Sequence, residues 1–197
     1  MLNYFSLIRP LNLLLALISV GISIHILGIS FNDLANLYPL ITVGFLLAGA
    51  NILNDIFDIK IDSINRPDKP LPSGNIAVSK AGFITIIFIA TGLLSLLPIQ
   101  SAGQKLVIFI ILPIFWLYTP IFKGIPIIGN VMIGATLGLV FLFTETALTN
   151  QISRLWFPAS LAFHLTFNRE LIKDLQDILA KEKRVLGIIK DELSLIK

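Results

Sequence analysis

The chain contains no cysteine, which excludes disulfide bonds and metal sites built on thiolates. Charged residues are also scarce: they make up 14% of the 197 residues, whereas a soluble domain carries about 25%. There is therefore too little polar surface to cover a water-soluble globule. The sequence also lacks a glycine-rich phosphate loop and a recognisable Ser-His-Asp arrangement. The net charge of +3 gives no indication of a nucleic-acid partner, because basic membrane proteins usually owe such charge to their cytoplasmic loops.

What the chain has instead is a series of long apolar runs, with 55% hydrophobic residues and a mean hydropathy of +0.87. A helix needs about 20 mostly apolar residues to cross a bilayer. Six segments approach or meet this length, at residues 10–28, 37–53, 81–99, 106–121, 127–148 and 155–167. The first has no small-residue cleavage site, so we interpret it as a span and not as a removable signal. The prediction is an all-α, polytopic transmembrane bundle whose sixth helix continues into a polar stretch.

Lysine and arginine are distributed unevenly between the two ends of these spans. Thirteen of the fifteen lie in the N-terminal segment, after an even-numbered span or in the C-terminal tail, and the exceptions are Lys105 and Arg154. By the positive-inside rule, we expect an integral protein of the cell membrane. Its N-terminus, the loops after its even-numbered spans and its tail should be cytoplasmic.

Acidic residues gather where the second span reaches the predicted cytoplasmic side. Asn51, Asp55, Asp58 and Asp62 are spaced by four, three and four residues, so on a helix they share one face. Carboxylates on one stripe repel each other, and acidic residues at the end of a span are costly and usually functional. A hard cation such as Mg²⁺, shared with phosphate oxygens, would compensate for this repulsion. The alternative is a solvated loop in which the carboxylates pair with the cations that follow.

A second acidic cluster follows the sixth span, also on the predicted cytoplasmic side. Glu170, Asp174 and Asp177 are spaced by four and three residues and again share a helical face. The two clusters can therefore meet at one mouth of the bundle and hold metal ions on either side of a diphosphate. Alternatively, these residues and Lys173 are ordinary charges on an exposed helix.

The residues around both clusters resemble a known family. Residues 54–62 read NDxxDxxxD and residues 65–74 read NRPDKPLPSG. Together, these 21 consecutive positions resemble the first signature of the UbiA-type membrane prenyltransferases. Residues 169–177 read RExxKDxxD and resemble the second signature, being most similar to the branch that prenylates geranylgeranylglyceryl phosphate, an ether-lipid precursor.

The resemblance implies both an activity and a set of site residues. Enzymes of this family transfer a polyprenyl group from its diphosphate to an acceptor, using Mg²⁺ held by two aspartate-rich motifs. The residues that would organise the metal and the diphosphate are Asn54, Asp55, Asp58, Asp62, Asp174 and Asp177. The residues that would contact the diphosphate or the acceptor are Arg9, Arg66, Lys69, Tyr118, Lys123 and Lys173.

Two of these assignments rest on further patterns. Residues 118–130 read YTPxxKxxPxxGN, which resembles a family segment whose basic residue assists the diphosphate, and Arg9 with the following proline resembles the family's N-terminal pattern. Physically, Lys123 at a membrane interface could simply snorkel, and Arg9 could be a positive-inside anchor. For Glu145 and His164, in or near spans, we expect packing or interface roles.

The chain also departs from the family. The second signature normally continues with Glu-Gly-Asp, but residues 179–181 read LAK, so a third carboxylate is missing. Family members normally have about three more helices, so we expect six spans of about nine. The expected organisation is a transmembrane bundle of residues 1–178 and a polar tail of residues 179–197. On this reading the chain is truncated, or its tail comes from an altered reading frame.

Three functions stay open at this point. The favoured one is Mg²⁺-dependent transfer of a geranylgeranyl-type group to geranylgeranylglyceryl phosphate, with the prenyl diphosphate, the lipid acceptor and membrane lipids as partners. The second is prenylation of an aromatic acceptor in quinone or related biosynthesis. The third is non-catalytic: an inactive, truncated relative or a lipid-binding membrane protein.

Overall fold

The computed structural model describes the backbone of residues 2–122, 125 and 127–195, and the side chains of residues 4–118, 121, 122, 125, 127–179 and 182. Within these residues the chain is all-α. The α-helices are α1 (Leu2–Leu7), α2 (Pro10–Ile26), α3 (Tyr38–Phe57), α4 (Ile59–Asn65), α5 (Val78–Leu94), α6 (Ser101–Leu106), α7 (Leu112–Leu117), α8 (Ile128–Thr149) and α9 (Trp156–Leu195). A 3-10 turn precedes α3 at Leu34–Leu37, and π-helical stretches lie at Val107–Ile111 and Tyr118–Phe122.

A helical segment coincides with each of the six predicted spans. The fourth is built from α6, α7 and the two π-helical stretches, which together run from residue 101 to residue 122. Prolines explain these irregularities, since Pro113 lies two residues after the first π-helical stretch and Pro120 lies in the second, and neither can donate a backbone hydrogen bond. The helix α9 continues across residue 178, so the division into bundle and tail stays a prediction.

The outer faces of the bundle are apolar. Large hydrophobic side chains such as Leu11, Phe83, Leu94 and Phe109 are more than 60% exposed. In the described residues, Leu34–Phe57 and Ile128–Thr149 are long and apolar enough to cross a membrane alone, and shorter apolar helices are Pro10–Ile26, Val78–Leu94 and Ser101–Leu117. An apolar exterior on an all-helical bundle is the arrangement that lipid requires. The chain is an integral membrane protein with a polytopic helical fold.

Close helix pairs form the interior of the bundle. Helix α3 packs against α5 and helix α8 against α9, while α2 packs against both α3 and α8. Glycines allow the close approach: a Cβ atom added at Gly92 would lie 2.7 Å from a methyl carbon of Leu46, and one at Gly138 would lie 2.9 Å from the Ala159 carbonyl oxygen. Small residues at contacts are how membrane helices gain dispersion energy.

Two of the three buried apolar clusters in the described residues hold the two ends of the bundle. The larger one joins α2, α3 and α8 through residues such as Ile24, Leu46 and Phe143. The smaller one lies at the end of the bundle where α3 finishes, and its buried members are Leu7, Ile52, Leu71, Ile76 and Ala81. This smaller cluster matters for function because it supports the acidic end of α3.

The buried carboxylate of Glu145 has a structural role at the opposite end of the bundle. It is fully buried and accepts hydrogen bonds from the backbone N–H groups of Ser153, Arg154 and Leu155, at 3.1, 2.7 and 3.0 Å, and from the Ser153 hydroxyl at 3.0 Å. These donors precede α9, whose first N–H groups have no partners within the helix. Glu145 therefore ties the end of α8 to the start of α9, in keeping with the packing role expected for it.

Replacing Glu145 with alanine should destabilise the protein by on the order of 2–4 kcal/mol, because buried N–H donors would lose a charged acceptor. Thermal unfolding of the purified protein in detergent measures this change. The matched control is Thr149→Ala on the same helix end, whose hydroxyl donates to the Glu145 carbonyl oxygen at 2.8 Å and accepts from the Gln151 N–H at 3.3 Å but does not touch the Glu145 carboxylate. An unfolding temperature equal for the two variants would contradict this role.

Candidate functional site

Three carboxylates converge at the end of α3. Asp55, Asp58 and Asp62 are each less than 9% exposed, and one oxygen from each lies within 4.8 Å of the others. Helical hydrogen bonding continues from α3 into α4. The Asp58 N–H donates to the Asn54 carbonyl at 3.0 Å, and the Asp62 N–H donates to the Asp58 carbonyl at 2.8 Å. The residues therefore share one helical face, as their spacing predicts. We call these three residues the first carboxylate cluster.

Two cations from outside α3 and α4 reach the first carboxylate cluster. Arg9, between α1 and α2, places its Nη2 atom 2.8 Å from Oδ1 of Asp55. Lys69, in the loop after α4, places its Nζ atom 2.7 Å from Oδ2 of Asp62 and 3.4 Å from Oδ1 of Asp55. Each cation offsets part of the repulsion between the aspartates.

The proline-rich loop of residues 66–76 is folded back so that Lys69 can reach the cluster. Leu71 and Ile76 are 5% and 1% exposed and pack into the smaller apolar cluster described above. The Ile76 N–H donates to the Pro70 carbonyl at 3.0 Å, and the Ser73 hydroxyl donates to the Lys69 carbonyl at 2.7 Å. The loop is thus anchored by two apolar side chains and held by its own hydrogen bonds. Sequence reasoning missed these anchors, although two apolar residues in a polar loop are a readable signal.

The second cluster, defined as Glu170, Asp174 and Asp177, is arranged more loosely on α9. Glu170 is buried and pairs with Lys173 at 3.2 Å, while Asp174 is exposed and accepts a hydrogen bond from Nδ2 of Asn130 at 2.8 Å. Asp177 is exposed. Among the described residues, this group does not form a convergent trio of the kind seen in the first carboxylate cluster.

Tyr118 lies between the two clusters. It occupies the first position of the second π-helical stretch, and Asp58, Glu170 and Asp174 lie within electrostatic range of its hydroxyl, together with Arg9. One side chain can be within electrostatic reach of residues on α3 and α9 only if both clusters face the same space. The predicted meeting of the two acidic segments at one mouth of the bundle therefore agrees with the geometry.

The other residues singled out from the sequence lie as follows. Asn54 is partly buried one residue before Asp55, and Arg66 is exposed at the end of α4. Lys173 is 60% exposed at its side chain and pairs with its own helix. Lys123 lies outside the described residues. Asn130 is the last residue of the YTPxxKxxPxxGN segment, and its contact with Asp174 is not indicated by spacing.

The donor set of the first carboxylate cluster fits a hard divalent cation. All of its donor atoms are carboxylate oxygens, and their separations of up to 4.8 Å allow a single ion to be shared. Mg²⁺ prefers oxygen ligands and usually takes one or two carboxylates together with substrate phosphates. On side-chain chemistry alone, Asp55, Asp58 and Asp62 could hold such an ion.

Comparisons with known proteins identify the family. The sequence profile of the UbiA prenyltransferase family matches residues 14–186. The chain belongs to this family. It is 35% identical, over 89% of its length, to digeranylgeranylglyceryl phosphate synthase of Methanosarcina mazei. A solved structure concerned with digeranylgeranylglyceryl phosphate synthase in membranes is 33% identical, with a TM-score of 0.75 over 92% of the chain.

A more distant solved structure has the same fold. This UbiA homologue from Archaeoglobus fulgidus, bound to GPP and Mg²⁺, has 22% identity and a TM-score of 0.74 over 92% of the chain. The chain spans 65% of the length of the Methanosarcina relative, and 64% and 65% of the lengths of the two solved chains.

The anchoring of the loop can be tested with Ile76→Ala. Removing this 1% exposed side chain should cost about 2–4 kcal/mol, because a cavity would be left beneath the loop. Thermal unfolding in detergent, together with limited proteolysis within residues 66–76, measures the effect. The matched control is Ile64→Ala, at an isoleucine that is 82% exposed, and we expect it to change stability by less than about 0.5 kcal/mol. Equal protease resistance in both variants would show that Ile76 does not anchor the loop.

Proposed function

We propose that this membrane bundle transfers a prenyl group from its diphosphate to an acceptor with the help of Mg²⁺. The observation that carries the proposal is the first carboxylate cluster, three buried aspartates with oxygens within 4.8 Å of each other at the end of a membrane helix. Burial of three carboxylates this close is unfavourable unless cations share the site. Family membership and the Mg²⁺ and GPP bound by the Archaeoglobus homologue support the same reading.

The metal-binding part of the site is assigned to Asp55, Asp58 and Asp62 on one side and to Asp174 and Asp177 on the other. When bound, Mg²⁺ supplies Lewis-acid chemistry, which stabilises the charge that develops on a departing diphosphate. The chain's own contribution is to hold the oxygen ligands on rigid helices. Asn130 supports this arrangement because its donation to one Asp174 oxygen orients that carboxylate.

The chain also supplies cations for the diphosphate itself. Lys69 lies at the first carboxylate cluster and can donate to a phosphate oxygen there, and Tyr118 between the clusters offers a hydroxyl donor. We assign further diphosphate contacts to Arg66, Lys123 and Lys173, with Asn54 supporting the first carboxylate cluster. Such donors lower the barrier because they stabilise negative charge in the transition state more than in the ground state.

The favoured acceptor is geranylgeranylglyceryl phosphate, with a geranylgeranyl-type donor. This assignment is supported by the likeness to digeranylgeranylglyceryl phosphate synthases and by the RExxKDxxD segment. Arg9 adds a cation for the phosphate of such an acceptor. The acceptor hydroxyl would form a bond to C1 of the prenyl chain as the bond from C1 to the diphosphate oxygen breaks, and the hydroxyl proton leaves to solvent or to the diphosphate.

The proposed orientation places the site at the cytoplasmic side. Thirteen of the fifteen lysines and arginines lie at the chain ends or loops on this side, which is the distribution that the positive-inside rule associates with the cytoplasm. Mg²⁺ would then reach the mouth of the bundle directly, the charged diphosphate head of the donor would lie at this mouth, and the acceptor would approach from the membrane.

The test is a transfer assay on the purified chain in detergent, with labelled geranylgeranyl diphosphate and geranylgeranylglyceryl phosphate. Asp58→Asn should lower turnover on the order of a hundredfold or more, because it removes a ligand charge from the centre of the cluster. Chelation of divalent cations should abolish turnover, and Mg²⁺ should restore it. The matched control is Asp33→Asn, an exposed aspartate that only caps the 3-10 turn before α3.

Three other outcomes of this assay decide between the remaining functions. Undiminished and Mg²⁺-independent turnover in Asp55→Asn, Asp58→Asn and Asp174→Asn would overturn the proposed site. Turnover only with an aromatic acceptor would replace the lipid acceptor with the quinone-type one. Mg²⁺ binding without any transfer would favour a non-catalytic, lipid-binding role for this chain.

A further inference from the structure

Arg9 has an unusual backbone conformation. Its φ and ψ angles are 53° and 70°, in the left-handed region, and it is one of three non-glycine residues with positive φ in the described part of the chain. Residues with a Cβ atom rarely adopt this conformation, and Pro10 follows directly. A conformation of this kind persists only when the surrounding structure holds it, and such positions concentrate at functional sites.

Hydrogen bonds on both sides of one peptide plane hold this conformation. The Ile8 carbonyl oxygen accepts from Nδ2 of Asn51 at 2.9 Å, and the Arg9 N–H donates to the Ser6 carbonyl at 3.2 Å. These two backbone groups belong to the same planar peptide unit, so fixing both fixes its orientation. On the other side of Arg9, its own carbonyl accepts from the Leu13 N–H at 3.1 Å. The φ angle of Arg9 is therefore determined chiefly by these contacts.

Helix α3 contacts this junction twice. Asn51 and Asp55 lie four residues apart and share a face of the helix. Asn51, which is 8% exposed, binds the backbone just before Arg9, and Asp55 binds the side chain of Arg9 through Oδ1 at 2.8 Å. Asn51 thus binds the carbonyl of Ile8, 43 positions earlier in the sequence. The residue after Ile8 is Arg9, which pairs with Asp55.

We propose that Asn51 is a positioning residue that sets Arg9 on Asp55, and that Arg9 thereby competes with a divalent cation for this carboxylate. The proposal rests on the metal site proposed above. Because Oδ1 of Asp55 carries the Arg9 ion pair, a cation that takes this oxygen must replace the pair. Lys69 is the weaker competitor at Asp55, since its shorter contact is to Asp62, at 2.7 Å against 3.4 Å.

The proposal makes a prediction with an unusual sign: loss of Asn51 should tighten metal binding. Mn²⁺ affinity of the full chain in detergent, measured by calorimetry or by electron paramagnetic resonance, tests it without any turnover. Arg9→Met should tighten Mn²⁺ binding about three- to tenfold, and Asn51→Leu should do so by a similar or smaller factor. The double variant should bind no more tightly than Arg9→Met alone, because Asn51 acts through Arg9.

The matched control is Asn36→Leu. Asn36 makes the same type of contact, with Nδ2 donating to the Ser30 carbonyl at 2.9 Å, but before α3 at the opposite end of that helix. It should leave Mn²⁺ affinity unchanged. A general loss of structure would disperse the three carboxylates and weaken Mn²⁺ binding, so the sign of the effect separates positioning from misfolding.

Hydrogen exchange of the N-terminal segment provides a second readout that needs no metal. Asn51→Leu should speed exchange of the Arg9 and Leu13 amides, and Asn36→Leu should not. The positioning role would be overturned if Asn51→Leu left the exchange of these amides unchanged. It would also be overturned if Arg9→Met tightened Mn²⁺ binding while Asn51→Leu left it unchanged or weakened it. Arg9→Met without tightening would overturn the competition. No Mn²⁺ binding by the wild-type chain, or binding that Asp58→Asn leaves intact, would instead overturn the proposed metal site.

Discussion

The repulsion between three buried carboxylates is the constraint on which the acidic end of the bundle depends. At a separation of 4.8 Å and an effective dielectric constant of about 20, each pair of charges repels by about 3 kcal/mol. Helix α3 cannot relieve this repulsion by itself, because it carries Asp55, ends just before Asp58 and has no lysine or arginine, while Asp62 lies on α4. Compensating charge has to come from other parts of the chain, and the surrounding structure is arranged to deliver it.

The two segments that deliver cations are rigid for different reasons. The loop that carries Lys69 is anchored by Leu71 and Ile76, which are buried in the smaller apolar cluster. The segment that carries Arg9 is held by hydrogen bonds, above all the one from Asn51 to the Ile8 carbonyl. In both cases the cost of ordering a long cationic side chain is reduced, because its backbone is already fixed. An ion pair between preorganised partners contributes more than one between mobile side chains.

Much of this arrangement was predictable from local patterns, and the rest depends on contacts between distant segments. The lengths of the apolar runs predicted the helices, and the spacing of the aspartates predicted that they share one helical face. Spacing could not tell which cation of the loop turns back, and it is Lys69 that reaches the cluster while Arg66 is exposed. This outcome is decided by how the loop folds over the bundle, which leaves no periodic signal.

Buried carboxylates occur at both ends of this bundle, and their partners show why only one end is suited to chemistry. Glu145 accepts from fixed backbone N–H groups and one short hydroxyl side chain, so its oxygens have no reason to exchange partners. Asp55 is held by the ends of two long side chains, those of Arg9 and Lys69, which are 36% and 24% exposed. Such partners can move aside for a metal ion at modest cost, since their charges can be rehydrated. Burial of an acidic residue is therefore a weak guide to function by itself. The kind of donor that satisfies the residue separates a structural tie from a binding site.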